Sequence, residues 1–436
     1  MLKGESVKFT WIIRNQTMHY HPDLSLVGEG PLPRNKTLLR KTSLLDEPSK
    51  FISKMLNYNH AYILERYQNQ LKNLFNKRYI FDMEIDTSNI NFKKMNEINE
   101  NLHEVKKSTK DYQIAKLSNK DWRSYTKFMH MMSNTIHSIK DRYKVTFCTQ
   151  AYLKCRELLF LSHDWFFEKY KTHTKIRILH LCEAPGAFVY AIHDFYQLPT
   201  VEKDNSFFEW KMNSLNPFIK ENELCAFKDE AGLMERFSEN MFYGSDNTGD
   251  ILNFTGEEIK NLIVDGKYDF ITADGSINSM ECQGKQELNV LPLIEKEILI
   301  ALETLNAGGM FIVKMYTFFE QETQVLVTKL CQMFEKIQVV KPSCSKASNS
   351  EVYLICLNFN GSEIFVEREK VICNIVRCSE IFANYQIEAI QINKDAYDSD
   401  LLKSPIAKST INLIKSEAIN EYFDKIMVPI SHKTSN

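Results

Sequence analysis

A chain of 436 residues, 44% hydrophobic and 25% charged, can bury at least one sizeable core and is expected to hold two or three modules. Its formal charge of −2 excludes an evenly basic molecule, so any nucleic acid has to meet a local cationic groove. The ten cysteines show no CxxC pair and no zinc spacing, no secretory leader is read at the amino terminus, and no apolar run approaches the roughly 20 residues that cross a bilayer. Reduced thiols in the nucleus or cytoplasm, with no membrane partner, are the expectation.

Residues 1–47 carry few helical or strand signals and are read as a poorly ordered start, followed by a mainly helical region over 48–140. Between Asp141 and Phe167 the apolar residues Val145, Phe147, Tyr152, Leu153, Leu158, Leu159, Trp165 and Phe166 favour helix, with Lys154 on it or beside it. Strands and helices then alternate. Ile176 to Leu181 reads as a strand, Cys182 to Phe188 as a tight turn and Val189 to Tyr196 as a helix. Phe207–Met212, Tyr268–Ala273 and Met310–Lys314 look like further strands of the same sheet, with a long helix over Leu288–Leu305. After a helix over Thr323–Phe334, the runs Ile337–Lys341 and Val352–Leu357 suggest a terminal hairpin-like pair. The alternation implies an α/β domain over 141–360, a parallel sheet with helices on both faces. Residues 361–436 form a C-terminal extension, compatible with the start of a truncated second domain, with a strand-like run at Lys370–Val376 and a helix-like tail at Ile411–Ile426.

An open parallel sheet places its ligand crevice at the carboxyl ends of its strands, and the unusual residues fall there. Gly186 lets the backbone approach a ligand and opens a helix whose N-terminus attracts a carboxylate, although a plain strand-to-helix turn has the same look. Asp250 closes the stretch Asp246-Asn247-Thr248-Gly249-Asp250, where a carboxylate can accept from an adenine amino group or simply face solvent. Phe208 and Trp210 alternate on one strand face, and core packing is slightly favoured over contact with a ligand. Asp274 and Lys314 each end an apolar strand, at a cost of several kcal/mol unless a partner or a task keeps them. Strands joined by a right-handed crossover are usually neighbours, so the two should face each other across one crevice, as a structural ion pair or as a catalytic one. Glu351 opens the final strand and Lys154 supplies a second cation. Two lysines and two carboxylates can deprotonate a hydroxyl with no metal ligand set, provided that desolvation and Lys154 lower the Lys314 amine by about three units from 10.4.

The segments Thr149 to Lys154, Cys182 to Phe188, Thr272 to Ser276, Gly308 to Glu320 and Lys341 to Cys356 resemble, in order and spacing, the motif series of FtsJ/RrmJ-type ribose 2′-O-methyltransferases. Asn213 to Pro217, Asp246 to Asp250, Ser345-Lys346 and Asn349 to Tyr353 are most similar to the cap 2 group of mRNA cap methyltransferases. The resemblance covers about Leu117 to Asn358 and implies a Rossmann-like, S-adenosylmethionine-dependent fold. It implies a Lys154-Asp274-Lys314-Glu351 tetrad with Lys314 as proton acceptor, and cofactor contacts at Gly186, Phe208 and Asp274 beside Asp250. The implied partner is the capped 5′ end of a single-stranded mRNA, with Lys341 and Lys346 as candidate phosphate contacts. Members of that group usually continue into a second, catalytically silent domain, and the first 47 residues here show no such resemblance.

Overall fold

The computed structural model describes residues 58–88, 93–116, 119–143, 145, 147–172, 175–196, 208–277 and 285–427. The expectation for residues 1–47 falls outside them. Among the described residues no helix is long and apolar enough to cross a membrane.

Among the described residues the chain begins with the helices α1 (Tyr58–Lys72), α2 (Lys93–Lys116), α3 (Asn119–Met129) and α4 (Thr135–Tyr143). A three-residue strand, β1 (Arg78–Ile80), interrupts this helical region. The single helix expected over 141–167 is instead divided among α4, α5 (Gln150–Leu161) and α6 (His163–Thr172). The reason is capping. The Thr149 hydroxyl accepts from Tyr152 N and starts α5, and Ser162 ends it by turning its own N–H back onto Leu158 and Leu159.

The rest follows the alternation. In order come β2 (Ile176–Leu181), α7 (Ala187–Phe195), β3 (Phe208–Met212), α8 (Gly256–Leu262), β4 (Tyr268–Ala273), α9 (Gln286–Thr304) and β5 (Leu305–Met315). Then α10 (Gln321–Met333), β6 (Phe334–Val340), β7 (Val352–Phe359), α11 (Arg368–Asp398) and α12 (Pro405–Tyr422) complete the described chain. The sheet order is β1-β6-β7-β5-β4-β2-β3. It is mixed rather than wholly parallel: β3, β2, β4 and β5 run together, and β7, inserted between β5 and β6, runs against both. The short connection between β6 and β7 has no room for a crossover helix, so the hairpin sets this direction.

Residue parity decides which side chains meet. Phe270, Met310, Ile312, Tyr353 and Ile355 face one core with α1, α5, α7 and α12, while Ile271, Phe311, Val313, Leu354 and Cys356 face the other with α9 and α10. The helices thus cover both faces, and Lys314, two residues beyond Ile312, belongs by parity to the α5 side.

The run Lys370–Val376, expected as a strand, lies inside α11. Its apolar residues Val371, Ile375 and Cys378 fall at helical spacing and are buried on the second core. The helix-like tail is α12, whose Ile411, Ile414 and Tyr422 pack into the same core as Leu64 and Tyr67 of α1. Amino-terminal and carboxy-terminal helices therefore share an interior. At its rim Arg66 pairs with Glu388 at 2.8 Å and with Asp395. Asn374 of α11, fully buried, receives the Tyr79 hydroxyl and Asp82 N on its carbonyl oxygen and donates to Asp82 O and Lys370 O.

Replacing Asn374 with alanine orphans Asp82 N and the Tyr79 hydroxyl, while Asp82 O keeps the Ile85 N–H. The expected loss is about 2–4 kcal/mol, by analogy with other buried hydrogen-bond deletions. Thermal or urea unfolding measures it, and a near-neutral substitution would show that β1 is held in place without this residue.

Candidate active site

β4 and β5 pair with Ala273 beside Val313, which brings the next residue of each strand together. Lys314 Nζ lies 3.2 Å from Asp274 Oδ1 and donates to the Asp274 carbonyl oxygen at 2.8 Å. Across β5, Lys314 registers with Tyr353 of β7, whose hydroxyl donates to the same Asp274 Oδ1 at 2.6 Å. Lys154 on α5 pairs with Glu351 at 2.6 Å, and the Ser345 hydroxyl also donates to that carboxylate. All four residues singled out in the sequence for this chemistry are therefore gathered on one face. They stand in two ion pairs, Lys314 with Asp274 and Lys154 with Glu351, each side chain at most 16% exposed.

The electrostatics correct one expectation. Burial does pull the Lys314 ammonium toward the neutral amine, but Asp274, Tyr316 and Glu351 outweigh it and hold the group above its ordinary value. Lys154, expected to depress it, is paired with Glu351, and Glu351 raises it. Glu351 shows the complementary balance: burial favours its protonated form, yet Lys154 and Lys314 hold its carboxyl down at about 2. The resting arrangement is two ammoniums interleaved with two carboxylates.

Lys341 also departs from its expected role. Rather than facing solvent to meet a phosphate, it is buried and donates to Asn349 O at 2.8 Å, to Asn349 Oδ1 at 2.8 Å and to Glu351 O at 2.9 Å. From the amino-terminal region, Lys106 on α2 reaches Ser350 Oγ at 2.7 Å. Two lysines thus tie down the segment that carries Glu351.

The carboxyl ends of β2 and β3 make the other half of the crevice. Gly186, at φ +96°, caps α7, and a Cβ there would stand 2.0 Å from Leu233 Cδ2. The helix N-terminus expected to take a ligand carboxylate is served by the chain itself, since Glu183 Oε1 accepts from Phe188 N at 2.7 Å. Glu183 Oε2 is buried without a hydrogen-bond partner, and burial, then Asp274, pushes this carboxyl well above its ordinary range. Glu297 on α9 accepts from Gly275 N at 3.0 Å and is pushed up to about 8 by burial. Asn213, just past β3, donates to Phe242 O and Gly249 O, which brings the loop bearing Asp250 to this rim. Asp250 caps the following turn by accepting from Leu252 N.

Phe208 is not at this rim. It registers with Ile176, at the amino ends of β3 and β2, and stacks on Phe166 with centroids 5.6 Å apart. Trp210 packs edge-on to Phe237 in the same core. The alternation that puts both on one buried face cannot carry Phe208 to the opposite end of its strand, so its assignment to the cofactor is withdrawn. Glu183, Glu297, Ser345 and Tyr353 are the site residues that the sequence reading missed. The available signal was a lone carboxylate on an apolar helix face, Glu297 between Ile294 and Ile298.

Residues 163–359 match the FtsJ-like methyltransferase family. The chain is matched over less than half of its length. It is 32% identical over 283 residues to cap-specific mRNA (nucleoside-2′-O-)-methyltransferase 2 of Mus musculus, covering 63% of this chain and 35% of that protein. The protein of the same name from Drosophila melanogaster is 32% identical over 277 residues, 62% of this chain and 37% of that one. An African swine fever virus protein named as a methyltransferase is 27% identical over 286 residues, 62% of each chain. The chain spans roughly a third of the length of the first two relatives. Lys154 lies ahead of the matched FtsJ-like segment and joins its site through Glu351.

Lys341→Met removes the donor of three part-buried acceptors on Asn349 and Glu351. A stability loss of about 2–4 kcal/mol is expected in denaturant unfolding, and an unchanged midpoint would show that the Glu351 segment stands without this amine.

Proposed function

We propose that this protein transfers a methyl group from S-adenosylmethionine to a ribose 2′-hydroxyl of RNA, at the second transcribed nucleotide of a capped mRNA. The observation that carries the reading is the interleaved set Lys154-Glu351 and Asp274-Lys314, two largely buried ion pairs at the carboxyl edge of a methyltransferase-type sheet. The cap and the second nucleotide rest on relatives that bear that name and align over 35% and 37% of their length.

The residues present fit the cofactor. Its head group is cationic at the ammonium and at the sulfonium, and the rim offers Glu183 with a buried oxygen that lacks a donor and Asp274 close enough to raise it. Glu183, Asp274 and Gly186 would hold the head group, and Asp250 with the Asn213 turn lies where the nucleoside end would be recognised. When bound, the cofactor supplies an electrophilic methyl group.

The chain's own residues supply position and a proton acceptor. Asp274, fixed by the Tyr353 hydroxyl, holds Lys314 Nζ in place. Lys314 Nζ, once neutral, takes the proton of the sugar hydroxyl, and the oxygen gains its nucleophilic electron pair. Glu351, held by Ser345 and the Lys341 tether, keeps Lys154 beside that oxygen as a charge that stabilises it. Because Lys314 rests as the ammonium, the neutral fraction grows tenfold per pH unit below its pKa.

Two outcomes test this. Label transfer from S-adenosylmethionine to capped RNAs that differ only in methylation of the first nucleotide should mark the second nucleotide; marking of the first, or of uncapped structural RNA, replaces the substrate and keeps the chemistry. In the same assay kcat/KM should rise with pH at about unit logarithmic slope through neutrality, and Lys314→Ala should lower it by roughly 10²–10⁴-fold and flatten the profile. Unchanged transfer in Lys314→Ala overturns the mechanism.

A further inference from the structure

A small solvent-open recess lies between α1, α3, α11 and the β6–β7 connection, behind the segment that carries Glu351. Two buried polar atoms there lack hydrogen-bond partners. Tyr67, 2% exposed, lines the recess with an unpartnered hydroxyl, and His130 lines it with an unpartnered Nε2. Leaving such a group unsatisfied costs about 1–3 kcal/mol. Two in one recess point to a ligand that satisfies both.

Charge gives the ligand its sign. Lys77, buried, and Lys346 both line the recess, and among the described residues no aspartate or glutamate does. The Lys77 ammonium lies 5.3 Å from the Tyr385 ring centroid. Glu157, the carboxylate that acts on it, is occupied by Ser343 N at 2.8 Å and Ser343 Oγ at 2.7 Å. Lys346 is in turn close enough to Lys127 and Arg123 to be repelled by them. Two lysines thus line the recess, and no carboxylate among the described residues lines it with them.

We propose that this recess binds a phosphoryl oxyanion, held by the Tyr67 hydroxyl, His130 and the ammoniums of Lys77 and Lys346. A phosphate oxygen accepts from the tyrosine and the lysines, and the imidazole meets a protonated oxygen. The recess backs directly on the catalytic set, because Ser345 lines it while its hydroxyl donates to Glu351. A phosphate of the RNA strand and free phosphate share this chemistry. Only the first source rests on the function proposed above.

Isothermal titration of the full chain with inorganic phosphate and, separately, with a short capped RNA tests the site. Tyr67→Phe removes only a hydroxyl that makes no hydrogen bond, so its melting temperature should match wild type, and Lys346→Gln removes a charge. Each variant should weaken binding about fivefold or more, the equivalent of one lost hydrogen bond. Weakening of RNA, with or without phosphate, identifies a strand phosphate; weakening of phosphate alone identifies the free anion. Wild-type affinity for both ligands in both variants overturns the proposal. Methyl transfer is not the readout, so the proposed function can fail while this site stands.

Discussion

An ammonium at the end of a central strand must be matched by a carboxylate, and the matching of Lys314 by Asp274 is the constraint on which the rest of the site depends. Asp274 alone would leave Lys154 to repel Lys314. The fold brings in Glu351 between them, and the four charges then alternate in sign. Each partner in this arrangement is fixed by a further group: Tyr353 holds Asp274, Ser345 holds Glu351, and Lys341 holds the backbone that presents Glu351. Charges buried this way are costly to disturb singly, which favours one geometry over many.

That geometry is a product of strand direction. Asp274 and Lys314 leave the sheet at the ends of two parallel neighbours, whereas Tyr353 and Glu351 enter it at the start of an antiparallel strand. Opposite chain directions on adjacent strands place one strand's end beside the other's beginning. A wholly parallel sheet would have put Glu351 at the far edge. The helical regions on either side complete the arrangement, with α5 supplying Lys154 and α2 reaching Ser350 through Lys106.

Much of this was legible in the sequence, for identifiable reasons. Apolar runs bounded by turn residues gave β2 and β4 to the residue and the apolar centres of β5, β6 and β7, since buried strands leave a strong local signature, while the first residues of β5 and β6 lie outside the expected runs. Charged residues at the ends of those runs pointed to the cluster of Asp274, Lys314 and Glu351, because an expensive residue in an apolar setting needs a cause. What stayed hidden depended on tertiary context. Val371 and Ile375 read equally as strand or helix over a short window, and only packing against the second core decides for α11. The direction of Lys314's proton affinity was misjudged because burial and counter-charge act oppositely and only coordinates rank them. Phe208 was misplaced because a strand's pattern reports its face and not the depth along it.

The two margins of the sheet have a consequence for association. On one side β1 covers β6 with only three residues, and on the other β3 presents Glu209 and Lys211, with Lys175 and Arg177 paired to Glu209 and Asp265 beside Lys211. A brief terminal strand and a row of matched charges both discourage another polypeptide from extending the ladder. Molecules that join this one are therefore steered toward its helices and connecting segments, leaving the hydrogen-bonded sheet a closed interior scaffold.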